Sequence, residues 1–369
     1  MRSVLVSKRI ILLCVGSTWG FLLLSPGVSG QSSSAPPLIE PASALRSLST
    51  EQLKSALRGS SSRQRHDILR ELGTRRTADA REVLLAVVLG KHGNLHREWA
   101  TSCYLQSLDD KSQAKALLRA NSDDAVGRSL AKMYGLPIDP SLLTEIQRLL
   151  GSPSLYVRGN CVGLIERDPS GLHGPEKARL MLDSLQSATA LPTATQFINS
   201  HGYAVGEWTQ LGAFAFDITR TLSEAKGIDP ATLEQETPRW SGLVRECLIV
   251  ARGRRGDRSI KGELLRLMDH GTLPEIRVLA VHSFQTIAEP ADRAVLERIA
   301  HTDPFAVRIP KGMAPFFEQT RPFAMAVVGA SNVVSEEGQV MEIYRIREAA
   351  RDALQKFDLR NQQRVSPAQ

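Results

Sequence analysis

Apolar side chains recur at the spacing of an α-helix along most of this chain. In the stretch "LLTEIQRLL" they fall on one helical face: Leu142, Leu143, Ile146, Leu149 and Leu150. A second stripe of this kind comprises Trp208, Leu211, Phe214, Ala215, Ile218 and Leu222. The clusters "GSPS", "DHGTLP" and "HTDPF" separate helical segments and are typical of turns. The pattern predicts an all-α chain in which a helix, a short turn and a second helix form the repeating unit.

The second helix of each predicted unit carries small residues where a core usually has leucines. In "YRIREAARDAL", Tyr344 to Leu354, an alanine follows an arginine by one helical turn, and "LPEIRVLAVHSF" and "SLYVRGNCVGLI" share this feature. The arginines recur at intervals of 30 to 32 residues: Arg65, Arg97, Arg128 and Arg158, and again Arg245, Arg277 and Arg308. A constant period of this length indicates stacked units that bury their apolar stripes against one another.

We expect these arginines to hold neighbouring units together. A planar guanidinium can bind a turn carboxylate or the backbone carbonyls of an adjacent unit. Asp269 and Asp303 lie in turns before such arginines and are candidate partners. The residues predicted to stack the repeats are Arg97, Arg128, Arg158, Arg277 and Arg347.

The segments "TDPFAVR", "LPEIRVLAVHSF" and "YRIREAARDAL" resemble HEAT repeats. The likeness is to the short type of about thirty residues that also occurs in phycobilisome lyase-like repeat proteins. It covers residues 44–360 and rests on a turn aspartate followed by valine–arginine and alanines. The resemblance implies a right-handed α-solenoid of stacked helical hairpins. It implies little about function, because one scaffold supports many activities.

The repeat pattern is interrupted at two places. In the middle of the chain the arginine spacing is lost, and "LPTATQFINSHGYAV" predicts a loop insertion near residues 188–205. After Arg308, Pro310 and Pro315 interrupt the second helix of the last unit. Residues 305–343 are therefore predicted to be an insertion. It is either a functional surface or a cap on the end of the stack.

The first thirty residues have the layout of a secretory signal peptide. A basic start, "MRSVLVSKR", precedes the apolar run "IILLCVGSTWGFLLL", and small residues precede Gln31. The apolar run is shorter than the ~20 residues of a bilayer span. We predict a signal peptide over 1–30, a Ser/Pro-rich linker over 31–43, a disordered tail over 361–369, and a secreted or periplasmic location. An uncleaved N-terminal membrane anchor is the alternative.

Charge and cysteine content argue against two classes of protein. The formal charge of +7 falls to +4 without the basic residues of the leader, which gives no argument for nucleic-acid binding. Three cysteines lie beyond the leader, in apolar helical runs: Cys103, Cys161 and Cys247. A sparse, odd set is not a disulfide framework, so we expect buried thiols.

Catalytic and metal motifs are absent from the sequence. It has no G-x-S-x-G, Walker phosphate loop, G-x-G-x-x-G, H-E-x-x-H or C-x-x-C. His92 and His96 have the spacing of metal ligands, but Gly93-Asn94 predicts a turn between them. We therefore predict no catalytic residue, no metal and no cofactor.

The stretch "ARGRRGDRSIKG" is the densest basic segment. Its glycines expose backbone amides, and arginine favours phosphate or carboxylate. An anionic partner is therefore predicted to bind Arg252, Arg254, Arg255, Arg258 and Lys261. The competing interpretation is a solvated turn without a ligand.

These features together indicate an exported, non-catalytic scaffold or adaptor that binds another macromolecule. A protein is the expected partner, on the concave side formed by the second helices. One alternative is a lyase-like enzyme or accessory subunit that holds a small apolar ligand near Tyr203, Trp208, Phe214 and Phe216. The other is an envelope structural protein held at the membrane by its uncleaved N-terminus.

Overall fold

The computed structural model describes residues 42–90, 94–169, 172–191, 207–310 and 340–365. These residues form two compact units, of which one ends at Pro137 and the other begins at Ile138. The predicted signal peptide lies outside the described residues, as do His92, residues 192–205 of the first predicted insertion and residues 311–339 of the second.

The first unit consists of short helices joined by tight turns. Its elements are α1 (Ala42–Ser47), α2 (Thr50–Gly59), α3 (Ser62–Arg75), α4 (Ala78–Leu89), α5 (Asn94–Ser107), a 3-10 helix (Lys111–Leu117) and α6 (Asp123–Lys132). Ser49 and Ser61 begin α2 and α3 with capping boxes, in which a serine and a glutamine satisfy backbone amides that the helix leaves free. The helix α5 packs against α3, α4 and α6.

The second unit continues the same alternation of helix and turn. Its elements are α7 (Pro140–Leu150), α8 (Leu155–Glu166), α9 (Gly174–Thr189), α10 (Glu207–Glu224), α11 (Pro230–Glu236), α12 (Gly242–Arg254), α13 (Lys261–His270), α14 (Pro274–Ile287), α15 (Arg293–Thr302), β1 (Val307–Pro310), β2 (Val340–Ile343) and α16 (Arg345–Val365). Two 3-10 turns, Thr237–Arg239 and Pro290–Asp292, precede α12 and α15. The predicted helical class is thus confirmed for the described chain, apart from one pair of strands.

The strands β1 and β2 pair antiparallel, with Val307 opposite Ile343. This pairing joins the two ends of the segment predicted as an insertion over 305–343. At the C-terminus, α16 runs to Val365 and so enters the segment predicted as a disordered tail. The reason is that its apolar face, which includes Ala353 and Phe357, is buried against α14 and α15.

A row of helices runs through the second unit in sequence order. The helix α8 packs on α10, α10 on α12, α12 on α14, and α14 on α16. Of these, α8, α12, α14 and α16 carry the periodic arginines of the predicted second helices, and α10 lies where that period is lost. The predicted stripe on α10 is confirmed, because Leu211, Phe214, Ala215, Ile218 and Leu222 are buried. The three cysteines are buried free thiols, also as predicted.

Glycine residues, which have no side chain, allow helices to approach one another closely. In the second unit α10 reaches past α12 to α14, where the carboxyl group of Glu275 lies against Gly212. A Cβ atom on Gly212 would be 2.3 Å from Cδ of Glu275. In the first unit a Cβ on Gly73 would be 3.0 Å from the Cβ of Cys103 on α5. Glycines at these positions therefore set the distance between helices.

We expect Gly212→Ala to lower the free energy of unfolding by about 1–3 kcal/mol, because the added methyl group overlaps a buried carboxyl group. The matched control is Gly262→Ala on α13, where nothing lies within 4 Å of an added Cβ. The control should be neutral or stabilising by up to about 1 kcal/mol. Urea denaturation of both variants measures the difference, and equal losses would contradict the close approach.

Candidate functional site

The predicted stacking arginines of the second unit bind backbone carbonyls near helix ends. Arg158 is 2% exposed, and its Nη1 donates to the carbonyl of Ser184 and the hydroxyl of Ser187, both at 2.6 Å. Its Nε donates to the carbonyl of Ser152, in the turn before α8. Burial lowers the pKa of this guanidinium. Arg158 thus joins α8 to the C-terminal turn of α9.

Two further predicted arginines converge on one turn aspartate. Arg277 donates to the carbonyl of Met268 at 2.9 Å and pairs with the carboxylate of Asp303. Arg347 donates to the backbone carbonyl of Asp303 at 2.6 Å and stacks over the ring of Tyr344. The other candidate partner, Asp269, pairs with Arg298 instead, at 2.9 Å. Asp303 therefore links α14 and α16, through its carboxylate to Arg277 and through its backbone carbonyl to Arg347.

The corresponding arginines of the first unit have different surroundings. Arg128 pairs with Asp124 of its own helix at 2.8 Å and donates to the hydroxyl of Ser102 on α5 at 2.6 Å. Arg97 lies half-buried on α5. Arg128 thus connects α6 to α5 through side chains, not through a helix-end carbonyl.

Several arginines outside the predicted set make the same carbonyl contact. Arg360 donates to the carbonyls of Gln285, Thr286 and Ala288 at the end of α14. The other contacts join Arg75 to Leu45 and Arg351 to Ala300. These residues lack the valine–arginine–alanine pattern, so sequence analysis missed them. Their partners are also distant in sequence.

Three members of the predicted anion-binding set are engaged within the fold. Arg255 donates to the carbonyls of Leu222 and Ala225, at the C-terminal end of α10. Arg252 pairs with Asp257 at 2.6 Å. Arg254 pairs with Glu224 on α10.

The other two members lie nearer to water. Arg258 has a side chain that is 69% exposed and is 3.7 Å from Glu289. Lys261 pairs with Asp292 at 2.7 Å and with Glu289 at 3.4 Å. Anion binding by this turn stays a prediction, and an incoming anion would have to compete with these internal carboxylates.

A network of ion pairs connects the row of second helices. Glu166 at the end of α8 accepts two hydrogen bonds from Arg220 of α10, at 2.6 Å and 3.0 Å. Arg220 also lies 3.9 Å from Glu224, which pairs with Arg254 of α12. Arg167 extends the network beyond Glu166, at 3.5 Å. Charges of alternating sign therefore span three neighbouring helices on their exposed side.

Two titratable groups beside this network are partly desolvated but not fully buried. Burial raises the pKa of Asp217 to about 6, and the nearby Glu166 adds to the shift. Burial also lowers the pKa of His282 on α14, with a further contribution from Lys356. Both side chains are only half-buried, so each is partly exposed to solvent. We call this side of the row the second-helix surface; it carries Glu166, Asp217, Arg220, Glu224, Arg254, His282, Asp352 and Lys356.

Binding is expected on the side of the second helices, but the predicted binding residues do not include Asp217, Arg220 or Glu224. They follow one another by three and four residues in "AFAFDITRTLSE", which places them on one helical face. This spacing was the available signal. It falls in the part of the chain where the arginine period is lost.

The aromatic residues proposed to hold an apolar ligand do not form one group in the described structure. Phe214 is 2% exposed in the core, whereas Phe216 is half-buried on the other side of α10. Tyr203 and the side chain of Trp208 lie outside the described residues. His96, which has metal-ligand spacing with His92 in the sequence, lies with its Nε2 3.4 Å from the hydroxyl of Ser62.

The described residues contain no group of three His, Cys, Asp or Glu side chains that could hold a metal ion. Within the same residues, no helix has the length and apolar character needed to cross a membrane.

Comparison with known proteins does not identify a family. No protein-family model matches the sequence, and no curated protein is significantly similar to it. The HEAT repeat therefore stays a resemblance carried by the residues quoted above.

We expect Arg158→Met to lower the free energy of unfolding by on the order of 3 kcal/mol, because the carbonyls of Ser152 and Ser184 and the hydroxyl of Ser187 each lose a charged donor. The control is Arg148→Met on α7. The side chain of Arg148 is 52% exposed and pairs with Glu145, three residues earlier in the same helix. Its loss should stay below about 1 kcal/mol. Chemical denaturation distinguishes the two, and similar losses would contradict a stacking role for Arg158.

The basic turn offers a second matched pair. We expect Arg255→Ala to cost about 1–2 kcal/mol of stability, since two carbonyls at the end of α10 lose their donor. Arg258→Ala should change stability by less than about 0.5 kcal/mol, because its ion pair is long and exposed. Thermal unfolding measures both. If Arg255→Ala does not change stability, the contacts of Arg255 with these carbonyls do not stabilise the fold, and its side chain is available to bind an anion.

Proposed function

We propose that this protein is a non-catalytic HEAT-like scaffold that binds another protein through its second-helix surface. The observation that carries the proposal is the row α8, α10, α12, α14 and α16, packed in sequence order with charged side chains along one exposed side. A repeat array offers a broad preformed surface of this kind. We extend the proposal to a right-handed α-solenoid, as the resemblance implies.

The contacts of the stacking arginines support the repeat interpretation. Arg158, Arg277 and Arg347 come from equivalent positions in the predicted units, and each binds a carbonyl group at a helix end or a turn. A periodic residue with a periodic contact is expected when similar units stack.

The chemistry of the second-helix surface favours a protein partner over a polyanion. Its cations Arg220 and Arg254 are already paired with Glu166 and Glu224, so no uniformly basic field is available for phosphates. Surfaces that mix both signs of charge select partners by complementary charge and fix their orientation. The half-buried Phe216 supplies an apolar contact beside these charges.

Export is a separate part of the proposal and rests on the first thirty residues alone. Sequencing the N-terminus of the protein isolated from its native source tests it. A start at Gln31 is the expected result, and a start at Met1 or Arg2 would indicate an uncleaved anchor instead.

Binding is tested by immobilising the purified protein, passing native envelope extract over it and eluting with a salt gradient. We expect one stoichiometric protein to elute as salt screens the charges. A double variant, Asp352→Lys with Lys356→Glu, reverses two exposed charges on the second-helix surface. It should reduce capture at least tenfold.

The matched control reverses exposed charges on first helices, with Glu234→Lys on α11 and Arg266→Glu on α13. Capture by the control should equal that by the unmodified protein. Equal capture by all three proteins would remove the second-helix surface from the proposal. If no protein is captured, or if the purified protein turns over a substrate, the scaffold function is wrong.

A further inference from the structure

Glu275 is a buried carboxyl group at the point where two non-adjacent helices of the row meet. It lies in the first turn of α14, is 2% exposed, and contacts Gly212 of α10 across α12. Its Oε2 atom is buried without a hydrogen-bond partner among the described residues. A charged carboxylate in such a position would lack both water and a cation.

The charged groups on the surrounding helices are engaged with other residues. On α12, Glu246 accepts hydrogen bonds from the amide and hydroxyl of Thr272, and Arg245 pairs with Glu263. On α10, Asp217 faces Gly159 of α8. On α13, His270 is exposed, and Asp269 pairs with Arg298. On α16, Arg345 pairs with Glu348 and Arg347 binds Asp303.

Burial is therefore the main influence on Glu275. It raises the pKa of this carboxyl group from 4.5 to about 8, and only the backbone amide of Glu275 itself acts in the opposite direction. The start of a helix normally favours a negative charge, but that effect is small beside full desolvation. At neutral pH the folded state consequently holds a proton that the open state releases.

We propose that the contact between α10 and α14 depends on protonation: it is closed while Glu275 is neutral and opens when Glu275 loses its proton. The opening would separate the first turns of α14 from Gly212 and admit water to the carboxylate. This inference concerns the packing of the row and does not rest on the proposed binding function.

The direction of the pH effect follows from the two protonation states. The closed contact binds the proton more tightly than the open one, so protons stabilise the closed form. The stabilisation is fully present below pH 4.5 and declines as the pH rises towards about 8. Within that window the equilibrium for opening should increase by up to tenfold per pH unit.

Amide hydrogen exchange, corrected for the intrinsic pH dependence of exchange, measures this opening residue by residue. In the unmodified full-length protein, we expect protection of amides 212–219 and 276–282 to fall up to about tenfold per pH unit between about pH 5 and pH 8. Glu275→Gln keeps the shape of the side chain and cannot ionise, so the fall in protection between about pH 6 and about pH 8, where Asp217 is already ionised, should be absent. The control Glu234→Gln, at an exposed position on α11, should behave like the unmodified protein.

The same pH dependence in the unmodified protein and in Glu275→Gln would overturn the proposal. A loss of protection spread equally over α8 and α9 would also overturn it, because this would indicate global unfolding. If Glu275→Gln does not fold, Glu275→Met provides an unbranched apolar side chain at the same position, and the same absence of pH dependence is expected.

Discussion

The satisfaction of helix C-terminal carbonyls by arginines from other helices is the interaction on which this structure depends. The last carbonyls of a helix have no partner inside it, and a positive charge there is favoured by the helix dipole. Arg277 meets this need for α13, Arg255 for α10 and Arg360 for α14. A guanidinium reaches two or three carbonyls at once, which a lysine ammonium does with less geometric definition. Because donor and acceptor lie on different helices, each such contact also fixes how those helices stack.

Close helix approach is the second constraint, and it has a local cost. Small residues let the second helices pack along their whole length, so that α12 is buried on nearly all sides. At Gly212 two non-adjacent helices also meet, because α10 contacts Glu275 of α14 although α12 lies between them in the row. The carboxyl group of Glu275 is enclosed as a result. The same packing that stabilises the row thus also buries a carboxyl group whose Oε2 has no hydrogen-bond partner among the described residues.

The arginine–carbonyl contacts and the close helix packing determine which charged side chains remain on the surface. Most arginines of the second unit are used within the fold, including Arg252, Arg254 and Arg255 of the basic turn. The second-helix surface is consequently a network of alternating charges and not a basic patch. Two half-buried groups on it, Asp217 and His282, are partly desolvated. In the proposed function such a surface favours a partner with complementary charges over one that offers charge of one sign only.

The sequence by itself determined the helical class, the turns, the buried stripe of α10 and the burial of the cysteines. It did so because helical periodicity and turn residues act over only a few neighbouring positions. It also marked arginines such as Arg158 as stacking residues, because a period near thirty residues is visible along one chain. Only the tertiary structure decided their partners, since Asp303, and not Asp269, lies beside Arg277. The enclosure of Glu275 and the partial burial of Asp217 were likewise decided there. Both depend on which helices meet across more than fifty residues of sequence, and no local pattern records that distance.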